Sequence, residues 1–174
     1  LTNGAALLEV PLVWSDPATG LRVEKTYVFK RGSYEIAVRT RVINTGTQTV
    51  DLTPYYQFTR HDQAPEGESI FIHSYTGPAF YTDAKKFQKV SFKSIQEGKA
   101  EFEKNAGNGW AGMVQHHFVA AWLPVDAVKR EFYARALGDG LYSSGVILAE
   151  GTLAPGQQKS FTVGLYAGPQ IQKV

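Results

Sequence analysis

The chain has 174 residues, enough for one domain and little more, and a chain of that size buries roughly 70% of its unfolded surface, so a sizeable core is feasible. Eighteen Lys and Arg against sixteen Asp and Glu, scattered along the sequence, leave a formal charge of +2, which excludes the concentrated basic face that nucleic-acid phosphates demand. There is no cysteine, so disulfides and thiolate metal centres are excluded, and no apolar run approaches the roughly 18 residues of a membrane span.

Leu1-Thr2-Asn3-Gly4 has neither the basic head nor the apolar stretch of a signal peptide, and no initiator Met precedes it. The chain therefore reads as a piece of a longer protein. Leu8, Val10, Leu12 and Trp14 alternate with Glu9, Pro11 and Val13, the period-2 pattern of a strand. Turn formers fill Ser15 to Gly20, and Leu21, Val23, Tyr27 and Phe29 then share one face, opposite Arg22, Glu24, Thr26 and Lys30. After Lys30-Arg31-Gly32-Ser33, Tyr34, Ile36, Val38 and Val42 point one way while Glu35, Arg39 and Arg41 point the other. Asn44 to Thr47 turns the chain again, and Val50, Leu52, Tyr56 and Phe58 read as a fourth strand. Such spacing of strands predicts an antiparallel sandwich or barrel.

His61 to Ser69 is polar, contains Pro65 and Gly67, and reads as a surface loop before a short strand over Ile70 to Tyr75. Asp83 to Gly98 fits a strand or a helix start; a strand near Lys89 to Phe92 and one helical turn near Ser94 to Glu97 fit best. Asn105 to Gly109 is a turn, Trp110 to Leu123 a strand closed by Pro124, and Glu131 to Ala136, Val146 to Glu150 and Lys159 to Tyr166 are further strands. Ala154-Pro155-Gly156 turns into the last of them, and Gly168-Pro169 stops it. Residues 1–174 form a single all-β unit with no repeat or linker.

No catalytic constellation emerges. On a strand, His116 and His117 point to opposite faces, so the two do not ligate one metal. His61-Asp62 beside Arg60 lies in the polar loop, and His73 has no acid nearby in sequence, whereas a general base needs a positioned partner. No nucleophile elbow, phosphate-cradling loop or zinc-type spacing occurs, so neither a cofactor nor a metal is expected. Lys85-Lys86-Phe87-Gln88-Lys89 mixes basic and aromatic residues, but it reads as an edge whose lysines discourage aggregation rather than as a nucleic-acid contact. The binding candidates are aromatic: Tyr75, Phe80, Tyr81, Phe87 and Phe92, some in the core and some lining a groove for a peptide segment.

Three segments in order carry a resemblance. They are Lys25 to Tyr34 continuing through Val42 to Gly46, Gly109 to Phe118 ending in Ala121-Trp122-Leu123-Pro124, and Leu165 to Gln170. Together they resemble the large periplasmic domain of the YidC family of membrane-protein insertases, nearly end to end. The resemblance implies a β-supersandwich similar to galactose mutarotase, carrying one or two short helical turns and held on the periplasmic side of the inner membrane. It also implies a non-catalytic scaffold for partners: the SecD–SecF complex, the Sec translocon and nascent membrane-protein segments. The SecF contact falls between His73 and Gln115 by that likeness. The family's domain begins several strands earlier, so this chain is expected to lack its N-terminal part and to self-associate through an uncovered strand edge. The amphipathic helix expected after Gln170 is mostly missing. The alternative is a carbohydrate-binding or aldose-epimerase-like sandwich, with Trp14, Trp110 and Trp122 as sugar platforms and His61 or His116 as the acid–base group. All three tryptophans lie in apolar strand patterns and are expected to be buried.

Overall fold

The computed structural model describes residues 4–63, 75–125, 128–149 and 151–170. The predicted strand over Ile70 to Tyr75 (Tyr75 apart), His73, and the stretch beyond Gln170 lie outside them. Three long strands, β1 (Leu7–Asp16), β2 (Leu21–Lys30) and β3 (Glu35–Asn44), form an antiparallel meander. Next come β4 (Val50–Leu52), β5 (Tyr55–His61), β6 (Gly77–Thr82), β7 (Lys86–Lys89) and a short helix α1 (Phe92–Gln96). The chain continues through β8 (Asn105–Ala106), β9 (Trp110–Gln115), β10 (Phe118–Pro124), β11 (Arg130–Gly138), β12 (Leu141–Leu148), β13 (Gly151–Leu153) and β14 (Gln158–Pro169).

These strands make an eight-stranded sheet, β1-β2-β3-β14-β10-β9-β6-β7, a four-stranded sheet, β5-β12-β11-β8, and a two-stranded ribbon of β13 and β4. Every pairing is antiparallel. The core lies between the two larger sheets, where Phe80, Ala111 and Trp122 meet Phe132, Tyr142 and Val146. Phe80 and Phe132 are sealed from solvent, with ring centroids 5.6 Å apart; each such side chain contributes about 2–3 kcal/mol by burial. A smaller cluster of Val42, Leu52 and Leu153 sits under the ribbon. Ser91 starts α1 by accepting a hydrogen bond from the Ser94 backbone N–H, and Ile95 anchors the helix in the core.

The alternating faces of β2 and β3 match the sequence pattern, with Tyr27 opposite Val38 and Glu24 opposite Arg41. Several readings need correction. Val50 to Phe58 is two strands in different sheets, because Pro54 follows Thr53 where the chain leaves the ribbon and crosses to the smaller sheet. Arg60 and His61 belong to β5 rather than to a loop. The strand near Lys89 to Phe92 lies earlier, at β7, and Phe92 already begins the helix. His116-His117 interrupts the strand over Trp110 to Leu123 as a two-residue hairpin turn, so the two rings do not point apart.

Candidate functional site

Three aromatic side chains lie side by side on the outer face of the large sheet. The register places Tyr81 opposite Phe87 on β7 and opposite Trp110 on β9, and directly opposed residues share a face. The Tyr81 and Trp110 rings stack nearly parallel, 8° apart with centroids at 6.0 Å, and Phe87 tilts against Trp110 at 5.8 Å. The Lys86 ammonium stands over the Tyr81 ring at 5.9 Å, within cation–π range. Phe87 is 45% exposed. Gly109 precedes this row with a φ of +101°, and a Cβ there would strike the Tyr81 carbonyl, so the close approach of β9 to β6 depends on that glycine.

The row opens into a shallow cavity of about 290 Å³ lined by Phe87, Trp110, Val114, Val119, Tyr166 and Pro169. Tyr166 donates its hydroxyl proton to the Pro169 carbonyl at 2.8 Å, and Tyr34 meets its ring edge-on at 6.3 Å. The aromatic surface therefore runs from β7 to β14 on the face away from the second sheet. It offers flat apolar area with one cation at its margin.

Of the five aromatic candidates, the fold brings Tyr81 and Phe87 together on this surface. Phe80 faces the core, stacked on Phe102 with centroids 4.4 Å apart. Phe92 packs against Tyr142 at 4.8 Å. The Tyr75 hydroxyl bonds the Pro78 and Val90 carbonyls and accepts from the Val90 N–H; burial, opposed in part by the Val90 N–H, pushes its phenol up to about 12. The sequence pattern offers Trp110 only as a sugar platform. Its place beside Tyr81 depends on a strand pairing across many residues, which no local pattern signals. Contrary to expectation, Trp14 is 55% exposed, whereas Trp122 is 9% exposed between Tyr56 and Phe58.

Among the described residues no ion pair joins a histidine to a carboxylate. His61 ends β5, and His116 touches His117 with ring centroids 3.8 Å apart. Among the described residues no three His, Cys, Asp or Glu side chains converge as a metal site. Also among them, no helix is long and apolar enough to cross a membrane.

The architecture is that of a galactose-mutarotase-like, all-β sandwich. An alpha-galactosidase from Geobacillus stearothermophilus solved with raffinose superposes with a TM-score of 0.65 at 13% identity, over 95% of this chain and 24% of that one. A galactose mutarotase related enzyme from Lactobacillus acidophilus gives 0.50 at 10% identity, over 98% and 72%. These likenesses show the fold alone. Family membership comes from sequence. The model of the YidC periplasmic domain matches residues 1–174, and the chain belongs to that family. It is 74% identical over its whole length to the membrane protein insertase YidC of Thiobacillus denitrificans, and 45% identical over 99% of it to that of Dechloromonas aromatica. The chain spans 32% and 31% of those relatives.

Proposed function

We propose that this chain is a non-catalytic interaction and scaffold domain of a membrane-protein insertase. It stands at the periplasmic face of the inner membrane, where the whole protein inserts and folds membrane proteins with or without the Sec translocon. The observation that carries this reading is the Tyr81–Trp110–Phe87 row, an aromatic surface fixed on a rigid sheet and open to solvent. Aromatic side chains supply much contact area at low entropic cost, which suits docking of apolar segments and partner proteins. The row also falls inside the His73 to Gln115 stretch that the family likeness associates with SecF. Nascent membrane-protein segments and SecD–SecF are the partners. Tyr81 and Phe87 make the contact, while Tyr75, Phe80 and Phe92 hold the strands beneath it.

A photoreactive residue in place of Phe87 in the full-length protein tests this. Cross-links to nascent chains or to SecD–SecF during membrane-protein synthesis are the expected outcome. Sugar epimerisation abolished by replacing one histidine, with no cross-link from position 87, would transfer the chain to the carbohydrate reading instead.

A further inference from the structure

A second cleft opens on the opposite, inner face of the large sheet. It holds about 520 Å³, and its walls include Phe58 and Arg60 of β5, Met113 and Gln115 of β9, Phe118 of β10 and Pro169 of β14. That volume is in the range of sites for small ligands or a few side chains.

Arg60 is the unusual member. Strand β5 alternates, with Tyr56, Phe58 and Arg60 on the better-buried face and Tyr55, Gln57, Thr59 and His61 exposed. A guanidinium therefore follows Tyr56 and Phe58, which pack on Trp122. Its Nη1 donates to the Gln115 side-chain oxygen, and its Nε is buried without a partner. Gln115 is neutral. The ion pairs among the described residues join Arg22 and Arg41 to Glu24, Arg39 to Glu9, and Lys93 and Lys99 to Glu97, and none reaches Arg60. A half-buried cation answered only by an amide oxygen forgoes most of the attraction that offsets its desolvation. A carboxylate entering the cleft would restore it through charge-assisted hydrogen bonds. Around that charge the wall is apolar: Phe58, Met113 and Pro169, with Phe118 57% exposed.

We propose that this cleft receives an acidic side chain carried on an apolar, extended polypeptide segment. Arg60 binds the carboxylate, and Phe58, Met113 and Phe118 take the flanking apolar side chains. The inference rests on the reading that the domain docks apolar segments, and adds a charge preference to it.

Fluorescence anisotropy with short leucine-rich peptides that differ only in a central Asp or Asn tests it on this chain. The Asp peptide is expected to bind about tenfold more tightly, with the advantage shrinking as salt is added. Arg60→Gln should bring the Asp peptide down to the level of the Asn peptide. Gln115→Glu should do the same while keeping Arg60, by placing a carboxylate of nearly the same shape against it; it decides the matter if the arginine variant fails to fold. Equal binding of the two peptides overturns the charge preference and leaves the apolar-segment reading standing, whereas binding of neither removes both. Arg60-dependent binding to phosphatidylglycerol vesicles, without an Asp preference among peptides, would assign the cleft to a lipid headgroup and overturn the proposal.

Discussion

The two ends of the large sheet carry the same kind of sequence and meet different fates. At the β6, β9 and β10 end, the inward side chains are covered by β11 and β12, so Phe80 and Ala111 are sealed. At the β1 end the inward row of Leu8, Val10, Leu12 and Trp14 pairs correctly with β2 yet stays exposed along the whole strand. Beside it lies a groove of about 820 Å³ lined by Trp14, Val23, Tyr27, Tyr56, Trp122 and Phe161 among others. Alternation thus tells which way a side chain points, and a second layer decides whether it is buried.

Mutations should separate these ends by size of effect. Phe132→Ala, at the covered end, should cost about 3–5 kcal/mol in urea denaturation because it leaves a cavity against Phe80. A loss under about 1 kcal/mol would mean that the covered end is packed no better than the open one. Next in size is Gly140→Val in the Asp139-Gly140 turn that joins β11 to β12. Both residues have positive φ, 50° and 70°, the geometry of a type I′ hairpin turn. Forcing a β-branched residue there should cost about 1–3 kcal/mol.

Alkaline pH gives a third comparison. The folded Tyr75 phenol loses its proton only near pH 12, while in the unfolded chain it does so near 10. Its stabilising contribution is therefore whole below pH 10 and falls as pH rises from 10 to 12. Stability followed through that window should decline less steeply in Tyr75→Phe than in the parent chain. Equal slopes would show that the phenol is not withdrawn from water as its burial implies.

The smallest stability effect belongs to the open end. Leu12→Lys should change stability by no more than about 0.5 kcal/mol. It should also weaken any concentration-dependent sedimentation of the parent chain, because a lysine on an edge strand discourages pairing with another edge. Monomeric behaviour of the parent at high concentration would remove the self-association expected from the uncovered edge. A loss near that of Phe132→Ala would erase the contrast between the ends.

Much of the framework was legible because strand parity is local. Leu21, Val23 and Tyr27 face inward as their spacing says, and the turn before β14 was marked by Ala154-Pro155-Gly156. The His116-His117 turn was not, since it contains none of the usual turn formers, and neither residue has the positive φ that would have called for one. Asp139-Gly140 did carry a hairpin signal, and reading it would have joined Glu131 to Ala136 and Val146 to Glu150 as one hairpin. Pro54 likewise marked the break between β4 and β5. For the site, Tyr81 and Phe87 were within reach because one hairpin pairs them. Trp110 arrives through β9, and the inward placement of Arg60 follows from its parity with Tyr56 and Phe58 once β5 is extended to His61.

The position of β14 has a consequence for how the protein is made. The last of the described strands lies between β3 and β10 and is the hydrogen-bonded link between the meander of β1 to β3 and the block of β10, β9, β6 and β7. Until residues beyond Gln158 have emerged, the chain holds two separate partial sheets with unpaired edges facing one another. Folding by way of such a late, distant pairing is slow. Any chain released before that strand is complete is a poor competitor against aggregation and a ready target for proteases.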